Sequence, residues 1–165
     1  MRRFPRGPIA LTALVCLGSL AACTAAPPPG PMLPADWPAT MLTQLNAVRA
    51  AAGLAPLADC PALDRSAQTQ SNGQAAMGKL SHSGANGSTL QQRVARAGYS
   101  GWSSLGENVG AGFVSVDGVM AAWMGDAPHR DNLLGVRYTQ VGFGEAAGAN
   151  GVSYWTQDFG SGGTC

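Results

Sequence analysis

His82 and His129 are the only imidazoles in the 165-residue chain, and Glu107 is one of its two glutamates. His82 lies in Ser81-His82-Ser83-Gly84 and His129 in Asp126-Ala127-Pro128-His129-Arg130. Both read as Gly/Ser/Pro-rich junctions rather than apolar helical stripes. Glu107 sits in Leu105-Gly106-Glu107-Asn108-Val109-Gly110, flanked by glycines at the edge of an expected strand. Asp126 precedes His129 by three residues, near enough for both to line one site. Two imidazoles with one or two carboxylates form an N/O ligand set that suits zinc or another divalent metal. The same groups form a general acid–base set near neutral pH. The two histidines are too far apart in the chain for a local metal motif, and no His-Glu-x-x-His occurs. Each histidine could also simply cap a helix or hydrogen-bond a loop.

The elements that must position these groups come as helices first and strands later. Asp36-Trp37-Pro38 opens a helix in which Leu42, Leu45 and Val48 recur every third residue, ending at Gly53. A second helix is expected over 61–79. Its apolar stripe of Leu63, Ala67 and Met77 is thin, so it should pack through small side chains. Ser88 can cap a third, short helix over 90–97 that Gly98 stops. Asp117 can cap a fourth through Val119, Met120 and Trp123. Alternation over 138–146 and 152–160 predicts two strands, joined by a turn at Ala147-Gly148-Ala149-Asn150-Gly151. A further strand is expected over 108–113. This order implies α+β layering and not βαβ repeats.

Composition narrows the classes. Lys and Arg number 10 against 9 Asp and Glu, but Arg2, Arg3 and Arg6 all precede residue seven. The body is therefore mildly acidic and lacks the basic footprint of a nucleic-acid binder. Residues 1–22 combine that basic start with a short apolar run over 9–20, the pattern of an export signal rather than a membrane span. Leu20-Ala21-Ala22-Cys23 resembles a bacterial lipobox, which would leave Cys23 as a lipidated N-terminus; cleavage near Ala26 would instead release a soluble protein. Residues 23–35 form a Pro-rich spacer expected to be stiff and extended. The globular domain is expected over 36–165. Of the 4 cysteines, Cys16 falls in the signal and Cys23 is the anchor, so an exported chain should pair Cys60 with Cys165.

Five fragments then occur in a telling order. They are Asn46-x-x-Arg49, Leu80-Ser81-His82-Ser83, Gly106-Glu107-Asn108-Val109-Gly110, Trp123-Met124 with His129-Arg130-x-Asn132-Leu133-Leu134, and Tyr154-Trp155-Thr156-Gln157-Asp158-Phe159-Gly160. Over about 41–160 the chain resembles the CAP superfamily of cysteine-rich secretory, antigen 5 and pathogenesis-related proteins, in its bacterial branch. The resemblance implies a three-layer α-β-α sandwich with a small, mainly antiparallel sheet and an open cleft. His82, Glu107 and His129 match the family's cleft residues, and Asp126 occupies the slot of its second glutamate. Asn108 and Gln157 are expected to hold strand ends.

The resemblance implies an envelope binding module for a lipid or other small molecule, its His/Glu cleft able to hold a divalent metal. The alternative is a metal-assisted or acid–base hydrolase, peptidase-like, acting on envelope material. A lipoprotein with a purely structural role is the third reading.

Overall fold

The computed structural model describes residues 33–165. The expected export signal, Cys23 and most of the Pro-rich segment lie outside the described residues. Along the chain run α1 (Trp37–Ala51), β1 (Ala58–Asp59), α2 (Pro61–Met77), α3 (Leu90–Arg96), β2 (Ser104–Ala111), α4 (Val116–Gly125), α5 (Ala127–Leu133), β3 (Gln140–Ala147) and β4 (Ser153–Ser161). The sheet order is β1-β3-β4-β2. β4 runs antiparallel to both β2 and β3, and only the two-residue β1 is parallel to its neighbour. Helices cover both faces, giving the expected α+β sandwich with a mainly antiparallel sheet.

The sequence of β3 explains why the two faces differ. Val141-Gly142-Phe143-Gly144 alternates large with none, and successive strand residues point to opposite faces. Val141 and Phe143 enter the larger core, where Met41 and Leu45 of α1, Val119, Met120 and Trp123 of α4, and Leu133 of α5 meet Trp155 and Phe159. The glycine face receives α2. A Cβ on Gly142 would stand 2.2 Å from the backbone of Leu63 and Asp64, and one on Gly144 would stand 2.4 Å from that of Ala67 and Gln68. Only glycine permits that approach. The buried face of α2 is correspondingly small or polar, with Ala62, Ser66, Ala67, Gln70, Ser71 and Gln74 beside Leu63. Packing through small side chains is thus observed, but Met77 does not extend the stripe and is 39% exposed.

Several local expectations need correction. The third helix is capped by Thr89, not Ser88, because Gln92 lies three residues on and completes a reciprocal capping box. The fourth is capped by Ser115, whose hydroxyl accepts from the Gly118 N–H, so Asp117 falls inside the first turn. His129 is not in a junction: Ala127-Pro128 opens α5, since proline's fixed φ suits a first helical turn. Cys60 and Cys165 are bonded, with Cα atoms 5.3 Å apart, well inside the range a disulfide spans. The closed loop is long enough for the chain-entropy model to assign the bond about 4–5 kcal/mol.

Candidate functional site

His82 sits in the connection between α2 and α3, and buried side chains from both helices hold that connection. The Gln74 side-chain oxygen accepts from the Ser81 N–H at 3.2 Å, and the Gln70 amide donates to the Ser81 carbonyl. Arg93 of α3 donates to the His82 carbonyl at 3.2 Å and the Ser88 carbonyl at 3.0 Å. The imidazole itself remains open to solvent, its side chain 65% exposed, with Nδ1 bonded to Glu107 Oε1 at 2.8 Å.

Glu107 is the hub. Its side chain on β2 is buried, and its second oxygen accepts from the buried Arg93 guanidinium. Both carboxylate oxygens are therefore committed, one to each partner. The bond from Glu107 raises the His82 pKa above its ordinary value, outweighing the opposing effect of burial. Directly across the strand pair from Glu107 is Asp158 of β4. Asp158 is fully buried, and neither carboxyl oxygen has a hydrogen bond of good geometry. Burial, reinforced by the Glu107 charge, raises its pKa well above its ordinary value. That direction favours the neutral form, in which the single Arg93 balances the single charge of Glu107.

His129 stands on the other face of β2. Its Nδ1 is 2.6 Å from Asp126 Oδ2, and the imidazole side chain is 29% exposed. Two asparagines dock α5 onto β2. Asn108 donates to the His129 carbonyl at 3.1 Å and to Gln157 Oε1 at 3.4 Å, while Asn132 donates to the Glu107 carbonyl at 3.1 Å and Asn108 Oδ1 at 2.9 Å. Asn108 thus holds a helix rather than a strand end. The far end of α5 is fixed by Arg49, which donates to the carbonyls of Leu133 and Gly135. The Asn46-x-x-Arg49 fragment is therefore a structural clamp, Asn46 bonding both polar backbone groups of Leu57.

The four candidate residues form two histidine–carboxylate pairs, His82–Glu107 and His129–Asp126, secured to the consecutive β2 residues Glu107 and Asn108. Among the described residues no three His, Cys, Asp or Glu side chains gather closely enough to hold a metal ion. The donor types present, imidazole nitrogen and carboxylate oxygen, are those that divalent ions such as zinc take. Each ring has a carboxylate oxygen at Nδ1, the support that metal-ligating imidazoles ordinarily carry, while Nε2 makes no hydrogen bond among the described residues.

Sequence reasoning does not single out Arg93 or Asp158. Arg93 has a usable signal: Leu90 and Val94 mark the inward face of α3, and position 93 shares that face. Asp158 has one only after the register is known, since the residue facing Glu107 cannot be read before β2 and β4 are paired.

A profile of the cysteine-rich secretory protein family (CAP) matches residues 42–159. The protein YkwD of Bacillus subtilis is 30% identical over 114 residues, which are 69% of this chain and 43% of that protein. The chain thus spans under half of that relative's length. Among solved structures, an extracellular protein containing an SCP domain from Bacillus anthracis is 25% identical, with a TM-score of 0.66 over 79% of this chain and 44% of that one. An outer surface protein from Borrelia burgdorferi shares the fold at 17% identity, with a TM-score of 0.67 over 74% of this chain and 90% of that one. A family match that runs through all five ordered fragments, on a fold its solved relatives share, places this chain in the cysteine-rich secretory protein (CAP) family, among its bacterial members.

Proposed function

We propose that the chain is an exported, lipid-anchored envelope protein that works by binding, with His82 and His129 together presenting imidazoles to a divalent cation and its attached ligand. The observation that carries this reading is the commitment of Glu107. A general base must be free to take a proton, whereas both Glu107 oxygens are already held by Arg93 and His82. That arrangement orients a histidine; it does not leave Glu107 free to activate water. The neighbouring serines support the same conclusion. Ser81 Oγ donates to the Ser83 carbonyl and accepts from the Ser83 N–H, closing a local turn without engaging the imidazole. A nucleophile–base pair is what a peptidase reading needs at this point.

Export rests on the signal-like leader, the Cys60–Cys165 bond and the likeness to extracellular and outer-surface proteins. Anchoring rests on the lipobox-like run ending at Cys23. Two measurements test the proposal. Cys23→Ser should release the protein from the membrane fraction, and unchanged partitioning contradicts the anchor. Calorimetric titration of zinc should show a heat in wild type that is lost in His82→Ala; equal heats in both contradict metal binding at this histidine.

A further inference from the structure

A second site lies on the far side of Arg93, between α2, the 84–88 turn and α3. There a cavity of about 440 Å³ is lined by Arg65, Arg93, Arg96, Thr69, Asn86 and Ser88, with small residues completing its wall. The volume falls within the range of small-molecule sites. Its charge is unusual for this domain. The described residues carry seven Lys and Arg against nine Asp and Glu, yet three of the seven line this cavity and no carboxylate does.

The three guanidiniums are not equivalent. Arg93 is paired with Glu107, whereas Arg65 and Arg96 make no salt bridge among the described residues. Arg65 is fixed from Nε and Nη2 by the Ala97 carbonyl, at 3.2 and 2.8 Å. That bond pre-orients its guanidinium without cancelling its charge. Arg93 forms the inner wall of the cavity, its Nη1 and Nη2 already committed to carbonyls and to Glu107.

We propose that this cavity is a binding site for a phosphate group, carried by a small phosphorylated molecule or a phospholipid headgroup. Two guanidiniums without a salt bridge among the described residues match the charge of a phosphate monoester, about −1.5 to −2 at neutral pH, better than that of a single carboxylate. The planar guanidinium fork also pairs bidentately with phosphate oxygens. Thr69, Asn86 and Ser88 add uncharged polar groups, and the walls formed by Gly73, Gly84, Ala85 and Ala97 leave space beside the anion. The site is separate from the histidine pairs, and the proposal stands whether or not they bind metal.

The test is calorimetry of the mature chain with inorganic phosphate, with glycerol 3-phosphate, and with monomeric dihexanoyl phosphatidic acid, whose headgroup is a phosphate monoester. NMR of the arginine Nε–H resonances should accompany it. Binding of the first two identifies a soluble source, and binding of the lipid alone identifies a headgroup. In either case Arg96→Glu and Arg65→Glu should each weaken binding about tenfold or more, while Lys79→Glu, with the same charge change outside the cavity, should leave it within about twofold. The Arg65 Nε–H resonance should shift on saturation. No heat from any of the three ligands at millimolar concentration overturns the proposal. So does binding that is indifferent to Arg65 and Arg96, or that leaves the Arg65 resonance unmoved.

Discussion

The two faces of the sheet are built on opposite principles. On the α1/α4/α5 face, Trp123, Trp155, Phe143 and Phe159 form an aromatic and aliphatic core, with Trp37 edge-on to Trp155 at 5.4 Å between ring centroids. Both buried indoles find acceptors, Trp123 in the Val109 carbonyl and Trp155 in that of Phe113. On the α2/α3 face, glycine backbone meets small or polar helix residues, and Arg93, Glu107 and Asp158 are buried. The difference amounts to a division of labour. Apolar burial on one face supplies the free energy that lets the other bury charges in fixed positions, and His82 is oriented from that second face.

Substitutions on the two faces should therefore fail differently. Trp155→Ala should be the most damaging, costing near the top of the ~3–5 kcal/mol range for aromatic truncation in a core. Urea denaturation measures it. Arg93→Met should cost about 3 kcal/mol, because it strands the Glu107 carboxylate in a buried setting. Unlike Trp155→Ala, it should also release the His82 connection, visible as faster hydrogen exchange at 82–88. If both substitutions loosen the protein uniformly, the division of labour is wrong.

A smaller effect concerns Asp64, whose carboxylate accepts from the Phe143 N–H at 2.8 Å where α2 meets the glycine strand. Burial raises its pKa to about 6, and the Phe143 bond opposes that rise without cancelling it. A carboxyl whose folded pKa exceeds its unfolded value of 3.8 stabilises the fold most below that value. The contribution is lost as pH rises toward about 6. Asp64→Asn should remove that decline, so the wild-type-minus-variant stability difference should fall between about pH 4 and pH 6 and be flat above. Smallest of all should be Asp158→Asn. If Asp158 is already neutral, an isosteric amide changes no charge and should shift stability at neutral pH by less than about 1 kcal/mol. A loss of several kcal/mol would mean that an ionised Asp158 shares Arg93 with Glu107.

What was legible in the sequence follows the same division. The Val141-Gly142-Phe143-Gly144 alternation and the Asn-Gly turn announced the hairpin, because strand periodicity and turn chemistry are local. His82, Glu107 and His129 stood out through their rarity and glycine-punctuated settings. The α5 helix escapes a sequence reading since seven residues beginning Ala-Pro resemble a loop until Asn108 and Asn132 dock them. The Arg93 clamp is only half legible: Leu90 and Val94 mark its face as inward, but its carboxylate partner cannot be read from the helix alone. Its burial depends on a carboxylate brought from another element, and that is a tertiary fact.

The central claim is that the two histidine–carboxylate pairs act as one binding site across β2. Zinc affinity and stoichiometry measured for wild type, His82→Ala, His129→Ala and the double variant test it most directly. One shared site predicts a single ion per chain in wild type, loss of most affinity in either single variant, and little further loss in the double. Two ions per chain, or single losses that simply add in the double variant, would contradict it.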